Sequence, residues 1–321
     1  MYRFETVQDV YKEARKYNKY QNTAPFPPYV TIELLSDCNF LCRMCALTYQ
    51  KHHGGQMHIS NLKATIREIA KYGSMIRFIG YCEPLMYRHI KEAVTYVKNY
   101  GLLLHLTTNA STMNRDMADF LVDAGLDSII YSFQGGSKEE YLKMRALGGP
   151  IYERVIENIS YFQSIKVDTI TKLTTTVTQR DSKEDIEKFI NDHKSLVDEI
   201  QISGFTHFIH VSDHFGEQDV WGQLGISRPK LKEDAKCFVT NYEMMIKPDG
   251  SAYACCGAYT DQLKYGNVFE CDIMDIWKGG EAEKMRTKIC GGELDSIDNC
   301  SVCPVRYKYD NIDNAVFNTR K

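Results

Sequence analysis

Ser36-Asp-Cys-Asn-Phe-Leu-Cys-Arg-Met-Cys45 follows an apolar run, Tyr29 to Leu35, that reads as a β-strand. The C-x3-C-x2-C spacing offers three thiolates, Cys38, Cys42 and Cys45, one short of the four that close a cubane iron-sulfur cluster or a tetrahedral zinc site. A metal centre with three protein ligands keeps a position for something that is not protein, and an open position marks catalysis rather than structural support. The competing reading is a zinc knuckle completed by His52, His53 or His58.

Outward from this loop, strand-like and helix-like segments alternate as far as about residue 205. Ser60 to Tyr72 shows Leu62, Ile66 and Ile69 on one helical face and stops at Gly73. Met75 to Gly80 is a short apolar strand; Arg88 to Tyr100 is a helix ended by Gly101. Leu102 to Thr107 and Asp127 to Phe133 read as further strands, with a helix from Asn114 to Ala124 between them and a capping-box start at Ser137-Lys-Glu-Glu140 after them. Lys172 to Thr178 and Glu199 to Ser203 supply the last two strands, separated by a helix from Ser182 to His193. Six such units argue a parallel sheet, because parallel neighbours need crossover connections and helices supply them. The expected fold is α/β: a partial (β/α)6 TIM-like barrel over residues 29–205, with a helical extension before it (1–28). In such sheets function gathers after the carboxyl ends of strands, where the cysteine loop, Tyr81 to Pro84, Thr108 to Ser111 and Gln134 to Gly136 all fall.

Residues 206–236 break the pattern and read as a linker over the sheet mouth, carrying His207, His210, His214 and Trp221. A small α+β domain is expected over 237–310, with turns at Pro248-Asp-Gly250 and Gly266-Asn267, one helical period from Asp272 to Ile289, and a tail at 311–321. Hydrophobic content of 43%, charged content of 25% and a net charge of −3 are those of an ordinary globular chain without a basic footprint, which argues against nucleic acid as a partner. The charged N-terminus has no signal-peptide core and no apolar run reaches membrane-span length, so a cytoplasmic protein without membrane association is expected. In that setting eleven cysteines point to metal rather than disulfides.

With three cysteines on a strand-to-helix connection, the chain resembles the radical S-adenosylmethionine (radical SAM) superfamily over essentially everything after residue 28. The resemblance implies a partial barrel, a [4Fe-4S] cluster on Cys38, Cys42 and Cys45, and SAM chelating the fourth iron through its amino and carboxylate groups. It implies reductive cleavage of SAM to a 5'-deoxyadenosyl radical that abstracts hydrogen from carbon. Gly80-Tyr-Cys-Glu-Pro84 is similar to the family's Gly-Gly-Glu-Pro turn, with Cys82 where glycine is usual; Glu83 would accept from the SAM ammonium. Asn109, Ser132 and Gln134 resemble positions that face SAM or substrate. Thr174, Thr176 and Thr178 alternate on one strand face, and Thr176 is a further candidate there, although β-branched residues also simply fill strands.

Cys237-x12-Gly250-x4-Cys255, followed by Cys300-x2-Cys303-Pro304, resembles the twitch domain, a shortened SPASM extension. The resemblance implies a second, fully ligated [4Fe-4S] cluster that passes electrons, with Cys256 as a substitute for Cys255; a four-cysteine zinc ribbon is the alternative. Of the remaining cysteines, Cys82 and Cys290 are candidate hydrogen donors, and His210 is a candidate base. The single auxiliary site resembles the arrangement in 2-deoxy-scyllo-inosamine dehydrogenase. The short N-terminal extension argues against the peptide-recognition domain of many peptide-modifying relatives. The expected activity is therefore dehydrogenation of a hydroxylated small molecule (sugar, aminocyclitol or nucleoside), supported by an external one-electron reductant such as flavodoxin or ferredoxin. The alternatives are a radical epimerase, a peptide maturase and a zinc-stabilised binding protein.

Overall fold

In a computed structural model, the described residues are 1–19, 22–49, 55–145, 148–177, 183–204, 230–232, 234–301, 303, 306–308 and 315–318. His52, His53, Thr178, His207, His210, His214, Trp221 and most of the expected linker lie outside them. The chain divides into two units, one of residues 1–37, 52–106 and 233–306, the other of residues 38–51, 107–232 and 307–321.

In the first unit a capping box starts α1 (Val7–Arg15): Thr6 accepts from the backbone of Asp9, and Asp9 accepts from the backbone of Thr6. The helix is shorter than the charged N-terminus suggested. Strands β1 (Tyr29–Ile32), β2 (Met75–Phe78) and β3 (Leu104–Thr108) pair in parallel, joined by α3 (Ile59–Ala70) and α4 (Ile90–Asn99). Helix α3 buries Leu62, Ile66 and Ile69, the stripe expected from their spacing.

The C-terminal cysteine region shares this unit. Its strand β8 (Glu243–Ile246) lies parallel beside β1, with Tyr29 opposite Glu243, and continues antiparallel into β9 (Ser251–Tyr253) and β10 (Lys264–Asn267). The strand order is β10-β9-β8-β1-β2-β3. All four residues of β8 are buried, so it shows no alternation, and sequence reading saw only the turn that follows it. The single helical period expected from Asp272 to Ile289 is two helices, α9 (Ile273–Lys278) and α10 (Gly280–Gly291). They break at Gly279, whose backbone is extended and where a side chain would meet the Asp275 carbonyl.

The second unit holds the cysteine loop with α2 (Ala46–Tyr49), then α5 (Arg115–Asp123), β4 (Ser128–Ser132), α6 (Lys138–Arg145), α7 (Ile151–Ile165), β5 (Ile170–Val177), α8 (Lys183–His193) and β6 (Glu199–Gly204). Strands β4, β5 and β6 are parallel, and β12 (Ala315–Asn318) closes the order β4-β5-β6-β12 antiparallel to β6. A separate two-stranded ribbon joins β7 (Lys230–Leu231) to β11 (Tyr307–Lys308). Helix α7, not anticipated from the sequence, starts after Gly148-Gly149-Pro150 and buries Val155, Ile159 and Phe162. A short final helix, α11 (Asp298–Ser301), belongs to the first unit and carries Cys300. Among the described residues, no helix is long and apolar enough to cross a membrane.

Candidate metal centres and their surroundings

The cysteine loop of the second unit is pinned to the end of α6. Arg43 donates from its backbone to Met144 and from Nε to the Lys143 carbonyl, both at 3.1 Å. Arg145, 5% exposed, donates to the Phe133 carbonyl through Nε and a terminal nitrogen at 3.2 and 3.1 Å, and through the other terminal nitrogen to Cys42 Sγ at 3.2 Å. Its charge is permanent and buried, and the sulfur of Cys42 is the soft acceptor it faces. Burial, reinforced by Cys42 and Cys38, pushes the Cys45 thiol up to about 12, so ionising the triplet needs a strongly cationic partner.

Asn109 continues the site. Its Nδ2 lies 3.0 Å from Asn39 Oδ1 and 3.8 Å from Cys38 Sγ, and its Oδ1 accepts from the backbone and hydroxyl of Ser111. Ser132, Gln134 and Thr176 form a second connected set: Thr176 donates to Gln134 Oε1 at 2.6 Å, and Gln134 Nε2 donates to the Ser132 hydroxyl at 3.3 Å. Ala110 and Gln134 are the two non-glycine residues with left-handed φ among those described, 61° and 67°. Ala110 directly follows Asn109 and Gln134 is itself a candidate, both just past a strand's carboxyl end, where such strain collects at functional sites.

In the first unit Glu83 is 1% exposed; its Oε1 caps the 3-10 turn Pro84–Met86 by accepting from Leu85, and its backbone donates to the Asp37 carbonyl. Glu33, missed in the sequence, buries its carboxyl beside this turn and accepts the Tyr81 N–H at 2.9 Å. A side chain at position 80 would land on that carboxyl, which is why Gly80 is glycine. Burial pushes Glu33 up to about 7.

The four C-terminal cysteines come together. Cys237 senses Cys303 and Cys290; Cys255 senses Cys256 and Glu243 first, then Cys237 and Cys300; Cys300 senses Cys303 and Cys237. Burial pushes Cys237 and Cys300 up to about 12. The Cys256 N–H donates to Glu243 Oε1 at 2.9 Å, and burial with that carboxylate alongside pushes its thiol up. Glu243, 2% exposed, also accepts the Tyr29 hydroxyl at 3.2 Å and faces Arg77 at 3.7 Å. Cys290 is 2% exposed, its sulfur 3.8 Å from the Thr240 hydroxyl and 3.6 Å from Asn241 Oδ1. Cys82 is half-buried on the Gly80 to Pro84 turn, Cys271 is exposed, and His58 is committed to capping α3 through Ser60.

Among the described residues no three His, Cys, Asp or Glu side chains converge on one ion. Soft sulfur donors, the Arg145 guanidinium on Cys42 and the buried, unpartnered Tyr141 hydroxyl, which senses Cys42, all suit an anionic iron-sulfur cluster at the triplet.

Comparison with known proteins agrees. A family model described as the radical SAM superfamily matches residues 32–193, and one described as an iron-sulfur cluster-binding domain (SPASM) matches residues 237–304. The chain spans less than half the length of the first curated relatives it matches. A probable GTP 3',8-cyclase of Saccharolobus islandicus is 26% identical over 81% of this chain and 90% of its own length. Among solved structures, BtrN in complex with AdoMet and 2-DOIA superimposes with TM-score 0.56 at 17% identity, covering 87% of this chain and 93% of BtrN. Streptococcus suis SuiB bound to S-adenosylmethionine gives 0.64 at 17% identity, over 87% of this chain and 71% of SuiB. These likenesses show the fold, the expected partial barrel with its C-terminal iron-sulfur domain.

Proposed function

The chain belongs to the radical SAM superfamily, and from that premise we propose that it dehydrogenates a hydroxylated small molecule such as a sugar, aminocyclitol or nucleoside. Its cofactors in this reading are SAM and two [4Fe-4S] clusters, and its partner is an external one-electron reductant of the flavodoxin or ferredoxin type. The observation that carries the reading is the proximity of the buried thiols Cys237, Cys255 and Cys300, which sense one another and Cys303, in a chain that also holds the Cys38, Cys42 and Cys45 triplet.

Cys38, Cys42 and Cys45 hold the first cluster in this reading, and when bound it supplies, with SAM, the radical that takes hydrogen from carbon. A carbinol carbon that has lost hydrogen must still lose a proton and an electron to become a carbonyl, and a fully ligated second centre suits one-electron acceptance. In this reading Cys255, which senses Cys237 and Cys300, ligates it, and Cys256, hydrogen-bonded to Glu243, does not. Glu83 receives the SAM ammonium, while Asn109, Ser132, Gln134 and Thr176 offer donors and acceptors to hydroxyl groups. BtrN, with 2-DOIA in its solved complex and nearly its whole length covered, supports a small substrate over a peptide.

The rival epimerase reading would use Cys82, which lies on the turn that carries Glu83, rather than the enclosed Cys290. Solvent deuterium at one product carbon without a change in oxidation level would select it. The decisive experiment is an anaerobic screen of sugars, cyclitols and nucleosides for substrate-dependent 5'-deoxyadenosine. The expected result is a polyol that yields equimolar 5'-deoxyadenosine and carbonyl product; turnover with a peptide alone would overturn the reading.

A further inference from the structure

Tyr81 and Cys82 precede Glu83 where the resembled turn has two glycines. The Tyr81 side chain is 6% exposed, and its hydroxyl donates at 2.9 Å to the Gly257 carbonyl, two residues past Cys255. The same carbonyl accepts from Asn299 Nδ2 at 2.7 Å, and Asn299 immediately precedes Cys300. Asn299 Oδ1 in turn accepts from the backbone and hydroxyl of Thr260 at 3.1 and 2.7 Å, fixing the loop that follows Cys255. At its other end the Tyr81 N–H is held by Glu33. One buried aromatic side chain therefore spans from the Glu83 turn to a carbonyl shared by two segments of the auxiliary cysteine set, all within the first unit.

We propose that Tyr81 is a positioning residue that couples the Gly80 to Pro84 turn to the auxiliary cysteine loop, so that SAM seated on the turn and the redox state of the second cluster influence each other. The proposal rests on the reading above, in which Glu83 receives SAM and Cys237, Cys255, Cys300 and Cys303 hold a cluster. Coupling between two sites is reciprocal: if SAM shifts the potential of the second cluster, that cluster's oxidation state shifts SAM affinity by the same factor.

Tyr81→Phe keeps the ring and removes only the hydroxyl. Redox titration followed by electron paramagnetic resonance, with and without SAM, reads the auxiliary signal, identified beforehand in a Cys38/Cys42/Cys45→Ala variant. In the wild-type protein SAM moves the auxiliary midpoint, and its affinity differs between the two auxiliary oxidation states by about two- to tenfold, the range of one net hydrogen bond. In Tyr81→Phe both responses vanish while iron content and thermal midpoint stay near wild type. Equal SAM responses in both proteins, or none in the wild type, overturn the coupling alone. A triple-alanine variant that binds no iron overturns the auxiliary-cluster reading, and the coupling with it.

Discussion

Arg145 sets a guanidinium nitrogen 3.2 Å from the sulfur of Cys42, while its other donors close on the carbonyl of Phe133. A charge-assisted donor on a ligating sulfur favours the more negative, reduced state of a cluster. Arg145→Met is expected to lower the midpoint of the first cluster by on the order of 50 mV, the equivalent of about 1 kcal/mol for one electron, while leaving the auxiliary midpoint in place. Spectroscopic redox titration checks this; an unchanged first midpoint would refute the role.

Glu33 gives a pH signature. Its carboxyl is pushed up to about 7 by burial, whereas an unfolded glutamate titrates near about 4.3. Between those values the folded protein keeps a proton that the unfolded chain has released. Its contribution to stability is therefore full at low pH, falls as pH rises through that window, and is level above it. Glu33→Gln, which still accepts from Tyr81, should remove this slope and gain on the order of 3 kcal/mol relative to wild type between pH 4 and 8. Urea unfolding at several pH values tests it, and parallel pH profiles for the two proteins would sink the idea.

Gly80→Ala should be poorly tolerated, since the added methyl falls on the Glu33 carboxyl. Weakened SAM binding, by about tenfold or more, is expected in equilibrium dialysis. Glu33→Ala in the same chain makes room and should restore part of the affinity; no rescue would detach Glu33 from the shape of the turn.

Cys255 and Cys256 are adjacent in sequence and both lie near Glu243, but Cys255 also senses Cys237 and Cys300, whereas Cys256 is hydrogen-bonded to Glu243. Anaerobically reconstituted Cys256→Ser should keep roughly eight irons per chain, the count for two four-iron clusters, whereas Cys255→Ser should fall toward roughly four. Iron analysis giving the reverse pattern would exchange their assignments.

Cys42→Ala is expected to abolish SAM cleavage. Cys300→Ser should continue to form some 5'-deoxyadenosine but no oxidised product, because radical formation and electron disposal reside in different thiol sets. Normal product yield from Cys300→Ser would remove the acceptor role from the second set.

The strand-helix alternation was legible in the sequence as periodicity, and the two candidate thiol sets were marked there by spacing, because each is a local pattern. The grouping of Ser132 with Gln134 and Thr176 was visible only as separate candidates, since hydrogen bonds between β4 and β5 depend on register. Arg145 and Glu33 carried no periodic or motif signal; their meaning comes from burial beside groups distant in sequence. Strand β8 escaped notice because a strand buried on both faces lacks alternation. Choosing between Cys255 and Cys256 needed the position of Glu243, which spacing does not encode.

Tyr29 and Glu243, neighbours across β1 and β8, are separated by 214 positions along the chain. During synthesis the edge of β1 must wait for most of the polypeptide to leave the ribosome before its partner exists, and so long a loop closure slows folding. The nascent protein thus carries an unprotected strand edge for much of its translation. Truncation before residue 243 would leave that edge permanently uncovered, so expression trials of the N-terminal part alone should yield aggregates rather than a smaller working enzyme.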